Sequence, residues 1–166
     1  MRKLTALLAA GLVLGLSGMA MANTEALSVT ASADVITPIY VTQDTPLNFG
    51  KFSAGNGNNG AGTVVVDKTT GLRSVTGGVQ KIDASDTSTV GAFTAHGADL
   101  GYSIAVTNAT LTGAGTAMVA TLVASKNTGT IASGTDTFQV GGSLAVPATQ
   151  TAGAYSGSYT VTVSYQ

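Results

Sequence analysis

Cysteine is absent from all 166 residues, and charge is scarce, with Lys, Arg, Asp and Glu together at 9%. No disulfide can staple such a chain, so its stability must come from packing and the backbone ladder. Few charges also leave few gatekeepers against strand edges pairing with one another. Beyond the N-terminal segment the basic residues are Lys51, Lys68, Arg73, Lys81 and Lys126. Against eight acidic residues they leave a net charge of −3, with no basic patch, so nucleic-acid binding has no electrostatic basis. His96 is the sole histidine, without a spaced second ligand or an H-E-x-x-H motif. It reads as a loop or strand-end residue and not as a metal ligand or triad member.

Other candidates for chemistry are equally thin. Asp83 and Asp86 sit in Lys-Ile-Asp-Ala-Ser-Asp, which reads as a solvated loop before an acid–base pair. The Gly55–Gly60 run lacks the spaced carboxylates of a calcium loop. Gly113-Ala114-Gly115 is too short to cradle a phosphate, and Asn108-Ala109-Thr110 is a sequon of a kind frequent by chance. These patterns predict no catalytic residue, no metal, no cofactor and no small-molecule substrate; the chain does not read as an enzyme.

What is present begins with an export signal. Met1-Arg2-Lys3 is basic, Leu4 to Leu16 is apolar, and Ala20-Met21-Ala22 fits a cleavage site. Residues 1–22 therefore read as a secretory signal peptide, too short in its apolar core for a comfortable membrane anchor. Removing 22 of 166 residues leaves 144, the size of one domain.

Period-two alternation dominates the remainder. Leu27, Val29, Ala31, Ala33 and Val35 alternate with Ser28, Thr30, Ser32 and Asp34. A second extended run, Ile36 to Thr42, contains Pro38, which suggests an edge position or a switch between sheets. Further strands are predicted at 47–52, 63–66, 72–79, 90–95, 102–107, 118–125 and 137–146. Turn formers such as Gly77-Gly78, Gly113-Ala114-Gly115 and Gly141-Gly142 are read as connections. From Tyr155 to Gln166 the chain reads as one half-buried terminal strand, with Tyr159, Val161, Val163 and Tyr165 on one face. Aromatic and β-branched residues at a chain end need a partner to offset the ordering entropy. Short strands at near-regular spacing imply an all-β, immunoglobulin-like β-sandwich.

Several segments carry a family resemblance: Leu47-Asn48-Phe49-Gly50-Lys51-Phe52, Gly77-Gly78-Val79, Gly141-Gly142-Ser143-Leu144, and the closing run from Gly153 through Tyr155 and Tyr159 to Tyr165. Together they resemble the small secreted pilins of the chaperone–usher type. The match is nearest a cysteine-free, pilin-like branch, a secreted bacterial domain-of-unknown-function family similar in its ending to spore coat protein U. Tyr165 is penultimate and Gly153 is fourteenth from the C-terminus, both positions of the wider pilin pattern. The absence of the disulfide that many pilins carry near the start of the domain is a departure.

The resemblance implies a sandwich that lacks its last strand and is completed by a donor strand from a neighbouring subunit. Residues 23–35 would be the donor extension, with Leu27, Val29, Ala31, Ala33 and Val35 inserted, and residues 36–166 the pilin-like domain. Gly153, Tyr155, Tyr159, Val161, Val163 and Tyr165 would form the acceptor groove and chaperone-recognition strand. The implied partners are identical subunits in an open filament, a periplasmic chaperone and an outer-membrane usher, and the implied destination is the cell surface. Alternation does not settle the donor role, because residues 26–42 could also form one long first strand within their own domain, with Pro38 marking a sheet switch, or serve as an anchoring or disordered tail. The alternative function is therefore a secreted monomeric adhesin or binding module, or a coat protein, with a self-complemented sandwich. A functional-amyloid subunit ranks below these for want of internal repeats.

Overall fold

The computed structural model describes residues 24–54, 60–82 and 87–166. Residues 1–23, with the expected signal peptide, the Gly55–Asn59 stretch and Asp83 to Asp86 lie outside the described residues, and with them the readings made there. The chain falls into two units that divide after Asp34. In the first unit, residues 24–34 carry no assigned element and are exposed, with Leu27 at 86% and Val29 at 79%.

The second unit holds thirteen strands among its described residues. They are β1 (Tyr40–Thr45), β2 (Phe52–Ser53), β3 (Gly62–Val66), β4 (Arg73–Gly77), β5 (Gln80–Lys81), β6 (Gly91–His96), β7 (Gly101–Val106), β8 (Ala109–Gly113), β9 (Met118–Ala124), β10 (Thr128–Thr130), β11 (Thr135–Val146), β12 (Tyr155–Ser156) and β13 (Val161–Tyr165). The fold is all-β, with every pair antiparallel and no helix among the described residues.

The largest sheet has eight strands, organised on β11. Residues Thr135 to Val140 of β11 pair with β6, and Gly142 to Val146 pair with β3. Its other side takes β9 over Val140 to Leu144. One twelve-residue strand thus joins β1-β6 and β4-β3 to β9-β8-β12. A second sheet, β10-β7-β13, supplies Tyr102 and Ile104 to the same buried cluster. The third is the two-residue ladder of β2 with β5.

Alternation in the sequence becomes alternation in burial. In β9, Met118, Ala120, Leu122 and Ala124 point inward while Val119, Thr121 and Val123 face solvent. Phe93 and Phe138, neighbours on β6 and β11, stack with centroids 5.5 Å apart at the centre. Beside the core, Tyr102 donates its hydroxyl to Asp136 Oδ2 at 3.1 Å, and Lys126 Nζ meets the same oxygen at 2.6 Å. Burial, with the Asp136 charge and hydrogen bond, pushes the Tyr102 hydroxyl far up. Burial also works to raise the Asp136 carboxyl, but the hydrogen bonds from Lys126 and Tyr102 and the Lys126 charge outweigh it and hold it below its ordinary value.

Several elements differ from the sequence reading. No strand forms over Leu27–Val35, and the run expected from Ile36 starts only at Tyr40, because Pro38 has no N–H to contribute to a ladder. The strand expected over Leu47–Phe52 is broken at Gly50 (φ 73°), where Asn48 Oδ1 accepts the Gly50 N–H at 2.8 Å. Asn48 makes an isolated bridge to Thr89 instead. Gly141-Gly142 is no turn: it lies mid-strand in β11, where a Cβ on Gly141 would stand 2.5 Å from Val66 O and 2.6 Å from the Lys68 backbone. The terminal strand is two strands. Tyr155–Ser156 pairs with β8 in the large sheet, and Val161–Tyr165 pairs with β7 in the other. Strands β5, β8 and β10 escape sequence reading: β5 and β10 span only two and three residues, and β8 runs into Gly113, which reads as a turn former.

Phe138→Ala should lower the unfolding free energy by about 3–5 kcal/mol, measured by denaturant titration, since it empties the middle of the core. The Asp136 contribution is complete above its unfolded value and vanishes as pH falls through the lower folded one. Thermal midpoints should therefore fall as the pH drops below about 4. Asp136→Asn should remove part of that acid dependence, seen as a flatter plot of midpoint against pH.

Candidate functional site

A groove of about 860 Å³ opens directly onto the core. Its floor is Leu111, Met118, Ala120, Leu122 and Leu144, inward residues of β8, β9 and β11. One wall is the chain from Leu47 to Ala54, and the other is the chain from Gln150 to Gly157, with Tyr159. Among the described residues that line it, Lys51 alone is charged. Apolar surface rimmed by backbone suits an extended, uncharged chain better than a polar small molecule.

Each wall has a local cause. In the second, Gly153 sits at φ 155°, a region that favours glycine, and a Cβ there would come within 2.9 Å of Ala114 Cβ. The Tyr155 hydroxyl donates to Thr151 O at 2.8 Å, and Gln150 Nε2 donates to Thr116 O at 2.6 Å. Gly157 crosses so closely over β8 that a Cβ would strike Thr110 O, so the position admits only glycine. Tyr159 then turns inward, edge-on to Phe93 at 6.4 Å. Burial raises its hydroxyl, with Gln43 opposing in part.

Beyond Tyr159 the chain becomes β13. Thr107 N–H donates to Thr160 O, and Gln166 N–H donates to Gly101 O, so Thr160 and Gln166 turn backbone groups toward β7. Backbone direction alternates along a strand, so Thr162 and Ser164 face β7 as well. Val161, Val163 and Tyr165 therefore direct N–H and C=O groups to the opposite edge. Among the described residues no strand pairs with that edge. At its far end Tyr165 Oη accepts the Ala98 N–H at 2.6 Å and donates to Thr37 O at 2.7 Å. A Cβ on Gly97 would strike the same hydroxyl.

The sequence-derived site residues thus separate. Gly153, Tyr155 and Tyr159 line the groove, whereas Val161, Val163 and Tyr165 lie past it on β13, half-buried. Of the donor candidates, Leu27, Val29, Ala31 and Ala33 belong to the first unit and are exposed; Val35 begins the second and is 98% exposed. The Leu47–Ala54 wall and the floor were not identified as site residues, although Leu47 to Phe52 carried part of the family resemblance. Buried Arg73 also went unnoticed, yet it holds an inward position in the alternation Arg73-Ser74-Val75-Thr76.

Among the described residues, no three His, Cys, Asp or Glu stand together to hold a metal. His96 ends β6, stacked on Tyr40 at 4.7 Å with Thr42 Oγ1 at 3.1 Å from Nε2. Asn108, of the sequon, accepts the Leu122 N–H on its Oδ1 at 3.1 Å.

Tyr165→Phe should destabilise the protein by about 1–3 kcal/mol in chemical denaturation, because it leaves the part-buried Ala98 N–H without its acceptor.

Residues 39–165 match the family described as Domain of unknown function (DUF4402), and the chain belongs to that family. No curated protein and no solved structure matches it.

Proposed function

We propose that this family member is a structural subunit, of shaft type, in an extracellular bacterial filament built by donor-strand exchange. Residues 23–35 of one copy lie in the groove of the next, pair with the outer edge of β13, and complete an immunoglobulin-like sandwich. The observation that carries this reading is a groove floored by core side chains, whose lining residue Tyr159 leads directly into β13, a strand with one edge unpaired among the described residues. An exposed segment of alternating Leu27, Val29, Ala31, Ala33 and Val35 supplies matching chemistry.

Strand addition gains main-chain hydrogen bonds from the edge and specificity from pockets for alternate side chains. Burying Leu27, Val29 and Val35 contributes about 1.5–3 kcal/mol each. Ordering the segment costs about 1–2 kcal/mol per residue, so durability rests on slow strand release more than on equilibrium gain. Because the donor and the groove are different surfaces, the contact is head-to-tail and propagates as an open filament. In this scheme the N-terminal segment directs export, and a periplasmic chaperone covers the groove until an usher brings the next subunit.

Deleting residues 23–35 from the mature portion should abolish filaments in electron micrographs and leave folded, soluble protein on size-exclusion chromatography. Filaments of undiminished mass would instead favour a secreted adhesin or coat module complete in itself.

A further inference from the structure

The wall from Leu47 to Ala54 is anchored in the core by Phe49, but its backbone is thinly paired. It has one isolated bridge, Asn48 with Thr89, and the two-residue ladder of Phe52–Ser53 with Gln80–Lys81. Gly50, in the left-handed region, interrupts it between those points. An isolated pair of short strands is marginal in water, so a two-residue ladder does not hold a wall beside a groove unaided.

Arg73 supplies the missing support. It opens β4 and is 7% exposed, the buried charged residue among those described. Nη1 donates to Lys51 O at 2.6 Å and reaches Phe49 O at 3.5 Å. Nη2 donates to Ile82 O at 3.0 Å. The two nitrogens of one guanidinium therefore grip both sides of the β2-β5 ladder from beneath. A planar fork with fixed donors suits this task, whereas an ammonium concentrates its donors at one point. Burying a cation is costly without good acceptors, and these backbone carbonyls converge on it.

We propose that Arg73 is the positioning residue of the groove: it fixes the Phe49–Phe52 wall against β5 and so sets how long an inserted strand is retained. The retention part rests on the donor-strand reading above, while the wall-fixing part stands on Arg73 geometry alone.

The test uses mature chains carrying Arg73→Met, which keeps an apolar stem, and Arg73→Lys. Amide hydrogen exchange at residues 50–53 and 80–82 should accelerate at least tenfold in Arg73→Met, with β6 and β9 unchanged. Subunit release from preformed assemblies in denaturant should quicken by a similar factor. Arg73→Lys should fall between wild type and Arg73→Met on both measures. Exchange that is unaltered, or faster everywhere equally, overturns the proposal. Should Arg73→Met fail to fold, Arg73→Lys decides: local acceleration of about threefold supports the inference, and wild-type exchange refutes it. A wild-type chain that forms no assemblies defeats the filament reading but leaves the exchange result to judge Arg73.

Discussion

Satisfying the backbone is the constraint from which this structure follows. With no cysteine to staple it and little charge to pair, the fold depends on strands covering one another's N–H and C=O groups. β11 meets that demand along its length, serving β6 and β3 on one side and β9 on the other. Gly141 makes this possible, because any side chain there would collide with the Val66–Lys68 backbone where β3 ends. Phe138, Val140, Leu144 and Val146 on the same strand then anchor the core.

The same rule explains why the candidate site lies where it does. The chain leaves the large sheet at Gly157 and re-enters structure as β13, which lies beside β7 but exposes its other edge. Between Tyr159 and the Leu47–Ala54 wall the floor is core, lined by Met118, Ala120 and Leu122 without a covering strand among the described residues. A strand edge without a partner and apolar surface without a covering strand are each features that an added strand can satisfy. Arg73 and Tyr165 bracket this region by different means. One holds a wall through backbone carbonyls, and the other ties the end of β13 to Ala98 and Thr37.

The sequence alone determined the class of fold and much of its inventory, because side-chain alternation is a local property. Met118–Ala124, Gly91–His96 and Val161–Tyr165 announce their buried faces without reference to any partner. What only the tertiary structure decided is pairing and continuity. Whether Gly141-Gly142 turns or runs on depends on the Val66 backbone against it, and whether Tyr155 and Val161 share a strand depends on their partners, β8 for one and β7 for the other. The groove belongs to the same category. Its floor comes from β8, β9 and β11, its walls from chain some hundred residues apart, and no window of sequence contains their juxtaposition.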